Sequence, residues 1–243
     1  MFDRGRGLLF VLSAPSGCGK GTLRKALLER DKGLKFCPSV TTRAPRPGEI
    51  DGVDYKFVTR EEFLALERQG TFIEWAEVYG NLYGTPGEDL ERARNSGWDV
   101  IVEKDVQGAR TLKKRCPDAI LIFVLAPSFE ELQRRMQARG TETQAEMERR
   151  FRMAQEEVRE LGIFDYVIIN DDLKRAQDRL YAIILGERLL LQGSRTPRAG
   201  RRSCHAQSTY RELGEKGELQ VCPGDRDREE SQADSGVEKA ESA

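Results

Sequence analysis

After the apolar run Leu8 to Leu12 and one serine, the chain reads Ala14-Pro15-Ser16-Gly17-Cys18-Gly19-Lys20-Gly21-Thr22. A strand that closes in a glycine-rich turn and then opens a helix makes an anion cradle. The glycines let backbone N–H groups converge, and the helix N-terminus adds its positive dipole. A lysine at the end of such a turn reaches the terminal phosphates of a nucleotide. Two positions depart from the strict phosphate-loop pattern. Ala14 stands where a glycine is usual. Gly21 stands where the Mg²⁺-binding hydroxyl is usual, with Thr22 one place later.

The rest of the chain alternates strand and helix signals. Leu8–Ser13, Asp99–Glu103, Ala119–Leu125 and Tyr166–Ile169 read as buried strands, nearly continuous in apolar residues, as strands covered on both faces of a parallel sheet are. Helices are expected over Gly21–Glu29, Gln107–Arg115, Ser128 to about Gln137, Thr143 to about Leu161, and Leu173–Leu191. Ser128 with Glu131, and Thr143 with Glu146, have capping-box spacing. This is the rhythm of a doubly wound α/β sheet. Residues 36–96 interrupt it with short strand-like pieces (Tyr55–Val58, Phe72–Ala76), turns, and a helix Arg60–Gln69 capped by Thr59 and Glu62. The expected organisation is a core of 5–35 and 97–191 carrying an insertion over 36–96. Such an insertion at the carboxyl edge of the sheet faces the phosphate loop.

Of 243 residues, 38% are hydrophobic and 33% charged, and the apolar deficit lies at the C-terminal end. From Gln192 to Ala243 there is no Ile, Phe, Trp or Met. That stretch cannot bury enough apolar surface to offset its ordering entropy, so 192–243 is expected to be a disordered tail. Its first part is basic, with arginines at 195, 198, 201, 202 and 211. The remainder is acidic. A formal net charge of −1 gives no case for nucleic-acid binding. No run approaches a membrane span, and the first residues lack a secretory layout. Five scattered cysteines without metal spacing suit a reducing cytoplasm. Cys18 reads as a small side chain in the loop rather than a reactive thiol. The one histidine, His205, lies in the tail, which argues against histidine catalysis.

A second cluster lies inside the insertion. It begins Ser39-Val-Thr-Thr-Arg43-Ala-Pro-Arg46-Pro-Gly-Glu49 and continues to Gly52-Val-Asp-Tyr55. Two arginines three apart can clamp one phosphate, because guanidinium forks match phosphate oxygens. Phe72-Ile-Glu74 and Gly80-Asn-Leu-Tyr83-Gly-Thr85 follow. A carboxylate accepts two parallel hydrogen bonds from guanine N1–H and N2–H₂, which adenine does not offer. Glu74 is the candidate acceptor, with Ser39 and Thr85 hydroxyls serving the rest of the base and Tyr55 and Tyr83 serving the phosphate.

With these motifs, with Arg139-Gly-Thr-Glu and with Asn170-Asp-Asp, the sequence resembles the guanylate kinases over roughly residues 6–190. The resemblance implies a P-loop nucleoside monophosphate kinase fold with a GMP-binding part and a lid at about 135–150. It implies phosphoryl transfer from ATP to GMP, and to dGMP, with Mg²⁺. ATP would lie on Ala14–Thr22, with Lys20 on its phosphates, Thr22 toward the metal partly through water, and Asn170 near the adenine. GMP would be held by Ser39, Arg43, Arg46, Tyr55, Glu74, Tyr83 and Thr85. Arg135, Arg139 and Arg150 would meet charge developing on the transferred group. A kinase-dead binding module of the same family typically lacks the loop lysine and lid arginines that this chain keeps. A sugar-phosphate kinase would not need Glu74 with Ser39 and two tyrosines. A homo-oligomer stays open.

The strand end Val102-Glu103-Lys104-Asp105 departs from the family pattern, which has an apolar residue between its two acids. Glu103 and Asp105 share one face, toward the metal waters and GMP. A lysine on the opposite, buried face is costly unless paired or able to snorkel. A phosphate or an acidic side chain are the alternative partners for Lys104.

Overall fold

The computed structural model describes residues 5–78, 80–138 and 144–193, without the side chains of 144–146 and 191–193. In chain order its elements are β1 (Leu9–Ser13), α1 (Lys20–Arg30), β2 (Leu34–Phe36), β3 (Val40–Thr41), β4 (Lys56–Phe57), α2 (Arg60–Arg68), β5 (Phe72–Val78) and β6 (Asn81–Pro86). Then follow α3 (Gly87–Asn95), β7 (Asp99–Lys104), α4 (Val106–Arg115), β8 (Ile120–Leu125), α5 (Phe129–Ala138), α6 (Gln144–Arg159), a 3₁₀ turn (Leu161–Ile163), β9 (Tyr166–Ile169) and α7 (Leu173–Gly193).

Five parallel strands form the main sheet in the order β2-β7-β1-β8-β9. Alternate residues of each strand feed the two faces, as a pleat requires. Phe10, Leu12, Ile101, Ile120, Ile122 and Val124 pack on one side with α1, α5 and α7. Leu9, Val11, Val100, Val102, Leu121 and Phe123 pack on the other with α4. The result is a doubly wound α/β layer structure.

A smaller sheet in the order β4-β3-β6-β5 makes up most of the insertion. Its own core is Val40, Phe63 and Leu82, with Phe63 stacked on Phe72 at 4.5 Å. Thr59 and Glu62 close the expected capping box on α2. Two of its strands were invisible to pattern reading: β3 is two residues long, and β6 carries Gly84 and Pro86, which weaken a strand signal. Gly84 is required where it stands, because a Cβ there would meet the Phe72 ring at 2.7 Å. The small sheet ends at Pro86. Residue Leu90 of α3, inside the span assigned to the insertion, packs instead into the core beside Val100 and Leu112.

Candidate functional site

The phosphate loop begins where β1 ends. Gly17 and Gly19 have φ of 94° and 83°, the left-handed region that glycine adopts without strain. A Cβ on Gly19 would also strike Asn170 Nδ2 at 2.6 Å. That amide donates to the Cys18 carbonyl at 2.8 Å, so Asn170 braces the loop from the end of β9. No side chain caps α1, and its first turn carries no acid. Its leading N–H groups therefore remain available to an anion.

Ala14, Pro15 and Cys18 are buried in the loop wall, Ser16 and Gly21 are half-buried, and Thr22 is exposed on the first turn of α1. Burial pushes the Cys18 thiol up to about 12. It is a packing residue, as expected, and not a thiolate nucleophile. Lys20 Nζ donates to the backbone carbonyl of Lys104 at 3.1 Å. From the other side, Arg150 Nη1 donates to Ser16 Oγ at 3.2 Å. Arg135 donates through Nη2 to the Asn170 carbonyl at 3.0 Å and through Nε to Glu131 at 2.6 Å. Arg139 lies outside the described residues, as does the Thr143 cap.

The second half of the site lies on the small sheet. Glu74 and Thr85 are register partners on β5 and β6, so their side chains share a face. Thr85 Oγ1 donates to Glu74 Oε1. Lys104, the last residue of β7, brings its ammonium to 2.7 Å from the same oxygen and donates to Ser39 Oγ at 2.8 Å. The Lys104 and Glu74 side chains are 5% and 2% exposed. Of the two alternatives, the acidic side chain is thus a partner that this buried lysine has. Gly108 on α4 makes room for the pair: a Cβ there would lie 3.4 Å from Glu74 Oε2 and 3.3 Å from Lys104 Cδ.

Arg43 forks onto Glu49, its Nη2 2.8 Å from both carboxylate oxygens. Its guanidinium lies 5.3 Å from the Tyr55 ring centroid, and Tyr55 and Tyr83 are 6.1 Å apart edge to face. Burial raises the Tyr55 phenol, which keeps it a proton donor. Arg46 is exposed, with its backbone N–H on Glu49 at 2.8 Å. The two acids at the end of β7 carry structural duties beyond those expected of them. Glu103 accepts from Arg24 Nε at 2.8 Å, and Asp105 caps α4 by accepting from Gly108 N at 2.9 Å.

The loop after β1 is thus joined through Lys104 to the buried Glu74 carboxylate, and an arginine–tyrosine cluster of Arg43, Tyr55 and Tyr83 lies on the insertion. The guanylate kinase family model matches residues 6–187. The chain belongs to the guanylate kinase family. It is 47% identical to a guanylate kinase of Caldanaerobacter subterraneus subsp. tengcongensis, over 75% of this chain and 89% of that protein. It is 49% identical to one of Thermus thermophilus, over 75% and 83%. The crystal structure of guanylate kinase from Anaplasma phagocytophilum superposes with a TM-score of 0.65 at 38% identity, covering 76% of this chain and 88% of that one. No helix among the described residues is long and apolar enough to cross a membrane.

Three contributors to the site escaped sequence reasoning. Arg24 follows Lys20 by one helical turn and ties α1 to the insertion, pairing with Asp54 at 2.7 Å. Helical spacing could have placed Arg24 on the face of Lys20. Glu157 on α6 faces the charges of Lys20 and Asp105. Nothing in the pattern distinguishes it from the solvated acids of that helix. Glu49 was quoted in the motif without a role, and it aims Arg43.

Proposed function

We propose that this chain transfers the terminal phosphoryl group of ATP to GMP, and to dGMP, giving ADP and the nucleoside diphosphate. The observation that carries the acceptor is Glu74: a carboxylate buried on the insertion and joined through Lys104 to the loop that takes the donor. ATP lies with its phosphates on the N–H groups of Ala14–Thr22 and on Lys20. Asn170, at the loop's edge, stands on the adenine side. Glu74 accepts from guanine N1–H and N2–H₂, with Ser39 and Thr85 beside it. Arg43, Arg46, Tyr55 and Tyr83 hold the GMP phosphate, and Glu49 yields Arg43 to it.

Phosphoryl transfer asks for in-line placement and neutralised charge rather than covalent chemistry. A GMP phosphate oxygen bonds to the γ-phosphorus while the bond to the ADP oxygen breaks. Lys20, Arg135, Arg139 and Arg150 meet the charge that develops on the moving group. Among the described residues no cluster of three acidic, histidine or cysteine side chains could cage a metal. Mg²⁺ binds substrate phosphates and keeps several waters. It would neutralise charge on the ATP phosphates there; the exposed Thr22 hydroxyl would hold it partly through water, with Glu103 and Asp105 on the side of its waters. Three buried free cysteines, Cys18, Cys37 and Cys116, suit a reducing cytoplasm.

A coupled ADP-release assay over GMP, dGMP, AMP, CMP and UMP tests the reading. Turnover confined to GMP and dGMP is expected. Absence of turnover with GMP would refute the activity, and equal turnover with AMP would refute the guanine assignment.

A further inference from the structure

Lys104 ends a strand whose preceding residues Val100, Ile101 and Val102 are fully buried and aliphatic. Strand packing alone would favour another aliphatic there, because a buried ammonium is costly. This one is held between two side chains of the base pocket, Ser39 Oγ at 2.8 Å and Glu74 Oε1 at 2.7 Å. An ammonium carries three N–H donors. Among the described residues these two groups are its polar side-chain partners, which leaves a donor for a ligand.

The hydrogen-bonding edge of guanine runs acceptor, donor, donor: O6, N1–H, N2–H₂. Its complement is a donor beside a carboxylate, and Lys104 beside Glu74 is that arrangement. We propose that Lys104 is a specificity-determining residue that donates to the 6-oxo oxygen of the bound guanine. The inference rests on Glu74 as the acceptor of N1–H and N2–H₂. In the free enzyme the ammonium neutralises Glu74, and the Ser39 hydroxyl fixes its position. With the base bound, the cation stays beside the carboxylate and gains O6. Adenine offers a 6-amino donor to the ammonium and the N1 lone pair to the carboxylate. Both contacts are then mismatched in a buried pocket, where unpaired polar groups are most costly. The Ser39 and Thr85 hydroxyls can turn to donate or accept, so they do not impose this choice alone.

The test compares GMP with its 6-thio analogue, whose sulfur is a poor acceptor while N1–H and N2–H₂ are kept. Steady-state kinetics are run on the full chain and on Lys104→Met, a variant of similar length that removes the cation. The wild-type chain should prefer GMP by about tenfold in kcat/KM, the loss expected for one hydrogen bond from a charged donor. In Lys104→Met the KM for GMP should rise about tenfold while that for ATP holds, and the preference over the thio analogue should fall close to one. If the variant fails to fold, the wild-type preference decides: equal use of both nucleotides overturns the proposal. An unchanged preference in Lys104→Met, or tighter GMP binding there, also overturns it and leaves Lys104 a counter-ion. These outcomes are separate from failure of the Glu74 reading, which would show as no GMP turnover or as equal use of AMP by the wild-type chain.

Discussion

The Lys20 ammonium donates to the backbone carbonyl of Lys104 at 3.1 Å. The residue that receives the phosphate-loop lysine on its main chain therefore holds the buried Glu74 carboxylate with its side chain. The end of β7 sits beside the end of β1, with Ser13 and Lys104 in register. One residue of backbone thus links the loop lysine to the Glu74 carboxylate.

Lys20→Met removes the cation from the transferred phosphates but leaves the Lys104 side chain untouched. A fall in kcat of about 10²- to 10³-fold is expected, the usual scale for one preorganised charge or donor in a transition state. GMP affinity should hold. Coupled-assay kcat and calorimetric GMP binding check the two halves separately.

Glu74→Gln leaves the Lys104 ammonium buried without its counter-charge. Breaking a buried pair from one side costs about 3–5 kcal/mol, and the remaining Gln oxygen keeps the loss near the lower figure. GMP binding should weaken more than tenfold and ATP binding should not. The double variant Glu74→Gln with Lys104→Met should recover most of the stability but none of the GMP affinity, because paired removal takes away the orphaned charge. Urea unfolding and calorimetry read the two effects.

Arg24 is buried between Asp54 at 2.7 Å and Glu103 at 2.8 Å, so it fastens the phosphate-loop helix to the insertion. Burial alone would raise the Asp54 carboxyl, but hydrogen bonds from Lys25 and Arg24 hold it below its usual range. A depressed carboxyl contributes stability that is present above its unfolded value and lost as pH falls through the folded one. Arg24→Met should cost about 3 kcal/mol and move the acid-side loss of stability to higher pH. Melting temperatures from pH 3 to 7 test both. A wild-type acid profile in the variant would show that the tie is not electrostatic.

The parallel core was legible because Leu9–Leu12, Val100–Val102 and Ile120–Leu125 are apolar on both faces, and few other structures need that. The donor loop was legible because its glycines have a local conformational cause. The acceptor residues were named through the family resemblance and the chemistry of guanine. What stayed hidden depends on distant pairs. Lys104 looked like a misfit because its partner Glu74 is far away in sequence. Arg24 and Glu157 drew no reading because nothing local separates a helix face turned to water from one turned to a site. At two residues, β3 is too short for any period to register.

Glu157 shows how such a hidden charge can be read out. Burial pushes its carboxyl up to about 7, opposed by the Lys20 charge and reinforced by Asp105. Between the ordinary value of 4.5 and about 7, the folded chain holds a proton that the unfolded chain has released. Stability therefore falls as pH rises through that window. Glu157→Gln should flatten this slope, with a gain on the order of 2 kcal/mol at pH 7.5 relative to pH 5. ATP phosphates seated on Lys20 add negative charge beside the same carboxyl and should raise it further. ATP binding near pH 7 should then take up roughly half a proton at this residue. Calorimetry in buffers of different ionisation enthalpy measures the uptake, and Glu157→Gln should lower it by that amount. An unchanged uptake would mean that Glu157 does not sense the phosphates, and that its burial serves the packing of α6 alone.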